Sequence, residues 1–88
     1  MQTRSIDASG SLAAVRTFVS GHVGGDPVDD EEDIFATGIV NSLFAVQLVM
    51  WVERTYALSV SGKDLDIVNF RSVSAVASFI DQKVAAGD

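Results

Sequence analysis

The stretch Gly38-Ile39-Val40-Asn41-Ser42-Leu43-Phe44-Ala45-Val46-Gln47-Leu48-Val49-Met50-Trp51-Val52-Glu53-Arg54-Thr55-Tyr56 decides the fold. Asn41 or Ser42 can cap a helix start, because a short oxygen-bearing side chain accepts an orphan N–H of the first turn. From there to Tyr56 no Gly or Pro interrupts the chain. At about 100° per residue, Ala45, Leu48, Val49, Val52 and Tyr56 share one face. That stripe predicts a helix whose core side they form. Leu43, Phe44, Gln47, Met50, Trp51 and Arg54 lie roughly opposite, and four of these six are large and apolar. A small bundle cannot bury both faces, so the second face reads as a partner-docking surface. In the alternative, Leu43 and Met50 tuck against the preceding loop and Trp51 merely lies on the surface.

Upstream, Leu12, Val15, Phe18 and Val19 recur at helical spacing and predict a first helix from about Leu12 to His22. Ser9 or Ser11 would cap it, and Gly24-Gly25 with Asp26-Pro27 would stop it. Residues 1–10 are polar and aperiodic and read as a flexible N-terminal extension. Residues 24–41 form a long connection with an acidic run, Asp29 to Asp33, followed by Ile34-Phe35. Such loops are uncommon in compact domains and are often functional. Ile34 and Phe35 should pin it to the core while the acids stay in water.

Downstream, residues 64–70 hold one short helical turn. Ser72 caps a last helix from Val73 to about Val84, with Val73, Val76, Phe79, Ile80 and Val84 as its apolar stripe. Residues 85–88 read as a frayed end. No segment alternates with period two. The expectation is all-α: three main helices, one short helix and a long first loop, in one folded domain over residues 11–84.

Composition agrees and narrows the function. The 88 residues are 48% hydrophobic and 20% charged, which suits one small globular domain. The net charge of −6 argues against nucleic acid and against a polybasic membrane contact. No run approaches a membrane span, and the N-terminus lacks the apolar centre of a secretory signal, so the expected location is cytoplasmic. With no cysteine and one histidine, His22, there is no thiolate metal site, no disulfide and scant material for a catalytic triad. His22 instead suits a helix C-terminus. The acidic run lacks calcium-loop spacing, so no metal is expected. Gly24-Gly25 is not a phosphate-binding loop.

Ser42 remains. It is either a helix cap or a group delivered by a long loop to a helix N-terminus, where an attached phosphate is favoured. Here the sequence resembles the acyl carrier proteins, which place an Asp-Ser-Leu motif at the start of their second helix. The matching string is Gly38-Ile39-Val40-Asn41-Ser42-Leu43. Asp33-Ile34-Phe35, Val46-x-Leu48-Val49-Met50, Glu53 with Tyr56, and Phe79-Ile80 extend the resemblance over about residues 11–84. It implies that Ser42 carries 4′-phosphopantetheine as a phosphodiester and that the chain is a carrier, not an enzyme. Asn41 stands where the family has Asp, and Phe44, Gln47 and Arg54 stand where many members carry acids.

Val40-Asn41-Ser42-Leu43-Phe44-Ala45 and Asp64-Leu65-Asp66-Ile67-Val68-Asn69-Phe70-Arg71-Ser72 are similar to free-standing carriers that supply hydroxymalonyl or methoxymalonyl extender units in polyketide, and hence antibiotic, biosynthesis. The implied partners are a phosphopantetheinyl transferase, a loading enzyme, dehydrogenases and an acyltransferase or synthase, acting on a monomeric carrier. The short ends disfavour integration in a larger synthase. The rival readings are a peptidyl or aminoacyl carrier, and a non-catalytic helical interaction module in which Ser42 is only a cap.

Overall fold

A computed structural model describes the backbone of residues 3–24, 28–38 and 40–86, and the side chains of those from residue 10 onward. Four helices follow in order: α1 (Thr3–His22), α2 (Ser42–Tyr56), α3 (Ile67–Phe70) and α4 (Val73–Ala85), with a 3-10 turn at Gly62–Asp64 before α3. No strand occurs among the described residues. The expected all-α bundle is the one observed.

The core joins all four helices and the first loop. Val15 and Val19 of α1, Ile34 of the loop, Leu48 and Val52 of α2, and Val73, Val76 and Ile80 of α4 are almost completely buried. Helix α4 packs against α1, α3 and α2. Its stripe holds at Val73, Val76, Phe79 and Ile80, but Val84 is 56% exposed. The last turn of α4 outruns the apolar surface beneath it, so periodicity continues where packing does not.

Two of the expected helix starts hold closely. Ser72 caps α4 by accepting the Ala75 N–H at 3.0 Å. Asn41 caps α2. The first helix differs: it begins at Thr3, so residues 3–10 are helical instead of irregular. Ser9 and Ser11 therefore lie inside α1 and not at its start. Ser11 is buried and donates to Asp81 Oδ1 at 2.8 Å, a bond from α1 to α4. A single Gly10 is too weak a breaker to end a helix. Gly25, Asp26 and Pro27, the expected stop signals, lie outside the described residues.

The acidic loop is not merely solvated. Asp30 pairs with Arg16 through two bonds of 2.9 and 2.8 Å, which lowers the Asp30 carboxyl and raises the guanidinium. The Asp30 carbonyl accepts the Ser74 N–H at 2.9 Å, and the Ser74 hydroxyl donates to Glu31. The loop thus serves the orphan donors of the first turn of α4. Ile34 and Phe35 pin it as expected, Ile34 fully buried and Phe35 partly.

Candidate functional site

Ser42 is held by a chain of backbone contacts that begins in the core. The Ile34 N–H donates to the Arg71 carbonyl at 2.8 Å, and the Val40 N–H donates to the Ile34 carbonyl at 3.1 Å. Between them Asp33 organises a tight turn. Its Oδ1 accepts the Phe35 and Ala36 N–H groups at 3.2 and 2.9 Å. Gly38 closes the turn at φ +78, with its N–H on the Phe35 carbonyl. A left-handed φ favours glycine there. The start of α2 is therefore registered against the corner between α3 and α4.

At that start the two polar residues divide their roles. Asn41 is extended, and its Oδ1 accepts the Phe44 N–H at 3.1 Å. Its carbonyl accepts the Ala45 N–H at 3.1 Å. Ser42 is the first helical residue, is exposed, and takes no part in the cap. Its hydroxyl lies at the positive end of a 15-residue helix dipole. The reading of Ser42 as the cap does not hold, because Asn41 is the cap.

Ser42 also lines a cleft of about 320 Å³ between α2 and the α3 segment. Phe35 and Phe70 line it along with Ala45, Val46 and Val49 of α2, and Leu65 and Ile67 come from the opposite side. The walls are almost entirely apolar. Ala45 and Val49, expected in the core, are half-buried because they face this opening.

The expected docking residues separate. Leu43, Gln47, Met50 and Arg54 are exposed. Phe44 is not: it is 6% exposed and belongs to the core. Its ring lies 5.8 Å from Phe18 and edge-on to His22 at 5.1 Å. Trp51 is half-buried, stacked on Phe18 at 4.7 Å and edge-on to Tyr56 at 5.9 Å. The wheel missed this because aromatic side chains from α1 reach across to α2. Burial, with a smaller contribution from Asp81, raises the Tyr56 phenol above its ordinary range. Glu53 is absorbed too: its carboxylate accepts the Val60 N–H at 2.9 Å and ties down the chain after α2.

His22 ends α1 as expected, donating from Nδ1 to the Phe18 carbonyl at 3.0 Å. It opens with Asn41 and Gln47 on a separate hollow that Ser42 does not line. Among the described residues no hydrogen bond joins His22 to a serine. No cluster able to hold a metal ion occurs among the described residues. No described helix is long and apolar enough to cross a membrane.

An exposed, uncommitted serine at a helix N-terminus, delivered by a pinned loop, is the setting for a covalently attached phosphate. Residues 13–80 match the family described as "Phosphopantetheine attachment site". The chain belongs to this phosphopantetheine-attachment family. Members carry 4′-phosphopantetheine covalently and act as carriers, not catalysts. No curated protein matches the chain. As a carrier it works with a phosphopantetheinyl transferase and with synthase enzymes.

Sequence reasoning missed one set of site residues: Val46, Leu65, Asp66 and Ile67 around the cleft. For Val46 the signal was available, since it lies one turn beyond Ser42 on the same face. Leu65, Asp66 and Ile67 carried none, because their position depends on how the chain turns into α3.

Proposed function

We propose that Ser42 is the attachment residue and that the chain is a free-standing cytoplasmic carrier, monomeric, for a hydroxymalonyl- or methoxymalonyl-type extender unit in polyketide biosynthesis. The observation that carries the site is the division of labour at α2: Asn41 holds the helix start, leaving the Ser42 hydroxyl exposed. Ser42 Oγ would hold the phosphodiester. The helix N-terminus favours that anion through its dipole and its first N–H groups. When bound, the arm supplies a thiol that holds cargo as a thioester. The residues of the chain do the rest. Asp33 and Gly38 present the serine, and Phe35, Val46, Val49 and Phe70 offer apolar surface beside it. Tethering raises the local concentration of cargo at each enzyme visited.

The extender-unit assignment is supported by the strings at residues 40–45 and 64–72. A peptidyl or aminoacyl carrier is the second reading, since the loading enzyme chooses the cargo. The test is intact-protein mass after incubation with coenzyme A and a broad-specificity phosphopantetheinyl transferase. The expected gain is about 340 Da in the wild type and none in Ser42→Ala. Loading of a glyceryl unit onto the modified chain, in preference to amino acids, would support the extender-unit assignment.

A further inference from the structure

Ser42 stands between two openings of different chemistry. At about 100° per residue, Ala45, Val46 and Val49 share its side of α2, and they line the apolar cleft. Leu43, Phe44 and Gln47 lie on the other side of the helix and line a second hollow, of about 250 Å³. Val40 of the loop and His22 at the end of α1 complete that hollow. Asn41 lines it too, so both sequence neighbours of Ser42 border it. The attachment oxygen is thus one residue away from the hollow in either direction.

The hollow is built from hydrogen-bonding groups without fixed charge. His22 is held by its Nδ1–H on the Phe18 carbonyl at 3.0 Å and by ring contacts with Phe18 at 4.3 Å and Phe44 at 5.1 Å. A carbonyl only accepts, so in the neutral ring Nε2 is left as an acceptor. Asn41 commits Oδ1 to the Phe44 N–H and keeps Nδ2 as a donor. Gln47 brings both a donor and an acceptor, and among the described residues nothing engages its side chain. Val40, Leu43 and Phe44 add apolar surface beside these groups. Apart from His22, no titratable side chain lines the hollow. Such a set suits a neutral ligand that carries a hydroxyl, an amide and a branched alkyl group. The half of a phosphopantetheine arm nearest its phosphate has those three features.

The apolar cleft is a poor seat for the same groups. Its polar side chains are Ser42 and Asp66, and Asp66 offers only acceptor oxygens, one of them already on the Val68 N–H. Once Ser42 is esterified, the cleft has no side-chain donor for an amide carbonyl. A hydroxyl and an amide placed there would give up water without regaining partners, which costs free energy. We propose that the hollow between α1 and the start of α2 seats the proximal half of the arm. His22 Nε2 accepts its hydroxyl, Gln47 pairs with its first amide, Asn41 Nδ2 donates beside them, and Leu43 and Phe44 cover its geminal methyls. The proposal rests on Ser42 being the attachment site. It sends the arm from Ser42 toward α1 instead of toward α3.

The test installs an isotope-labelled arm from labelled coenzyme A with a broad-specificity phosphopantetheinyl transferase and reads it by NMR, after intact mass has shown the modification. Nuclear Overhauser cross-peaks should join the geminal methyls of the arm to ring protons of Phe44 and His22, and its first amide to the Gln47 side chain. Gln47→Leu, at an exposed position, should remove the amide cross-peaks and make the proximal arm more mobile in relaxation measurements. His22→Phe keeps a ring between Phe18 and Phe44 but lacks Nε2, and should loosen the hydroxyl end in the same way. Met50→Gln, which lines neither opening, should leave the arm as in the wild type. Cross-peaks to Ile67 and Phe70 would place the arm in the apolar cleft and overturn the proposal. So would an arm with no cross-peaks beyond Ser42 and its sequence neighbours, or one whose contacts survive both variants. In each of those cases Ser42 stays modified. No mass gain on the wild type would instead remove the attachment site, and the proposal with it.

Discussion

The two flanks of α2 are built from the same kinds of residue and come out opposite. On the α1 flank, Phe44 is covered by Phe18 and His22 and Trp51 by Phe18, with rings 4.7 to 5.8 Å apart. On the α3 flank, Val46 and Met50 stay exposed and a cleft remains open beside Ser42. The difference is the reach of the neighbour. Helix α1 is 20 residues long and offers aromatic side chains, while α3 is four residues long and ends in Phe70. A short helix can close only part of the groove it faces. One flank is therefore closed by packing and the other stays open.

The largest expected effect falls on the open flank. Ser42→Ala should abolish the mass gain on treatment with coenzyme A and transferase. Because Asn41 is the cap, it should change unfolding free energy by less than about 0.5 kcal/mol in urea titration. On the closed flank, Phe44→Ala should cost about 3–5 kcal/mol, as for other buried aromatic side chains. Met50→Ala should stay within about 0.5 kcal/mol, since it empties no core. If the two proved equally costly, the flanks would not differ as described. Asn41→Ala should cost about 1 kcal/mol by removing the cap, in the same titration.

Acid should weaken the α3 flank. Asp64 pairs with Lys83 of α4 at 2.9 Å and accepts the Ser61 N–H and hydroxyl, which hold its carboxyl at about 2 against 3.8. A carboxylate lowered in the folded state stabilises it fully above the unfolded value and loses that contribution as pH falls toward the folded one. Thermal stability should therefore drop more steeply below about pH 4 in the wild type than in Asp64→Asn.

A modest effect of the opposite sign is expected at the far end of α2. Ala57 occupies a left-handed conformation at φ +53, with the Leu58 N–H on the Glu53 carbonyl. Ala57→Gly should stabilise the chain by about 0.5–1 kcal/mol, because glycine meets no Cβ strain there.

Helix α2 was legible to within a residue at its start, because strong periodicity and a capping residue at 41 or 42 agree over fifteen positions. Ser42 was legible as a candidate from its motif and loop. What was not legible depends on partners distant in sequence. Phe44 is buried by Phe18 and His22 of another helix, and Asp30 and Glu31 find Arg16 and Ser74 only once the loop has folded. Ser11 looked like a cap and is a buried link to Asp81, 70 positions away. Local pattern fixes helices; it does not say which side chain from elsewhere will cover them.

The cap at Asn41 has a consequence for the order of events in the life of the chain. Had the serine hydroxyl held the helix start, esterifying it would have withdrawn an acceptor from the backbone, and loading would have been coupled to stability. With the neighbouring amide in that role, the bare form and the form loaded at the proposed Ser42 site share one scaffold. The chain can fold first, wait unmodified, and accept its arm later with no structural debt between the two states.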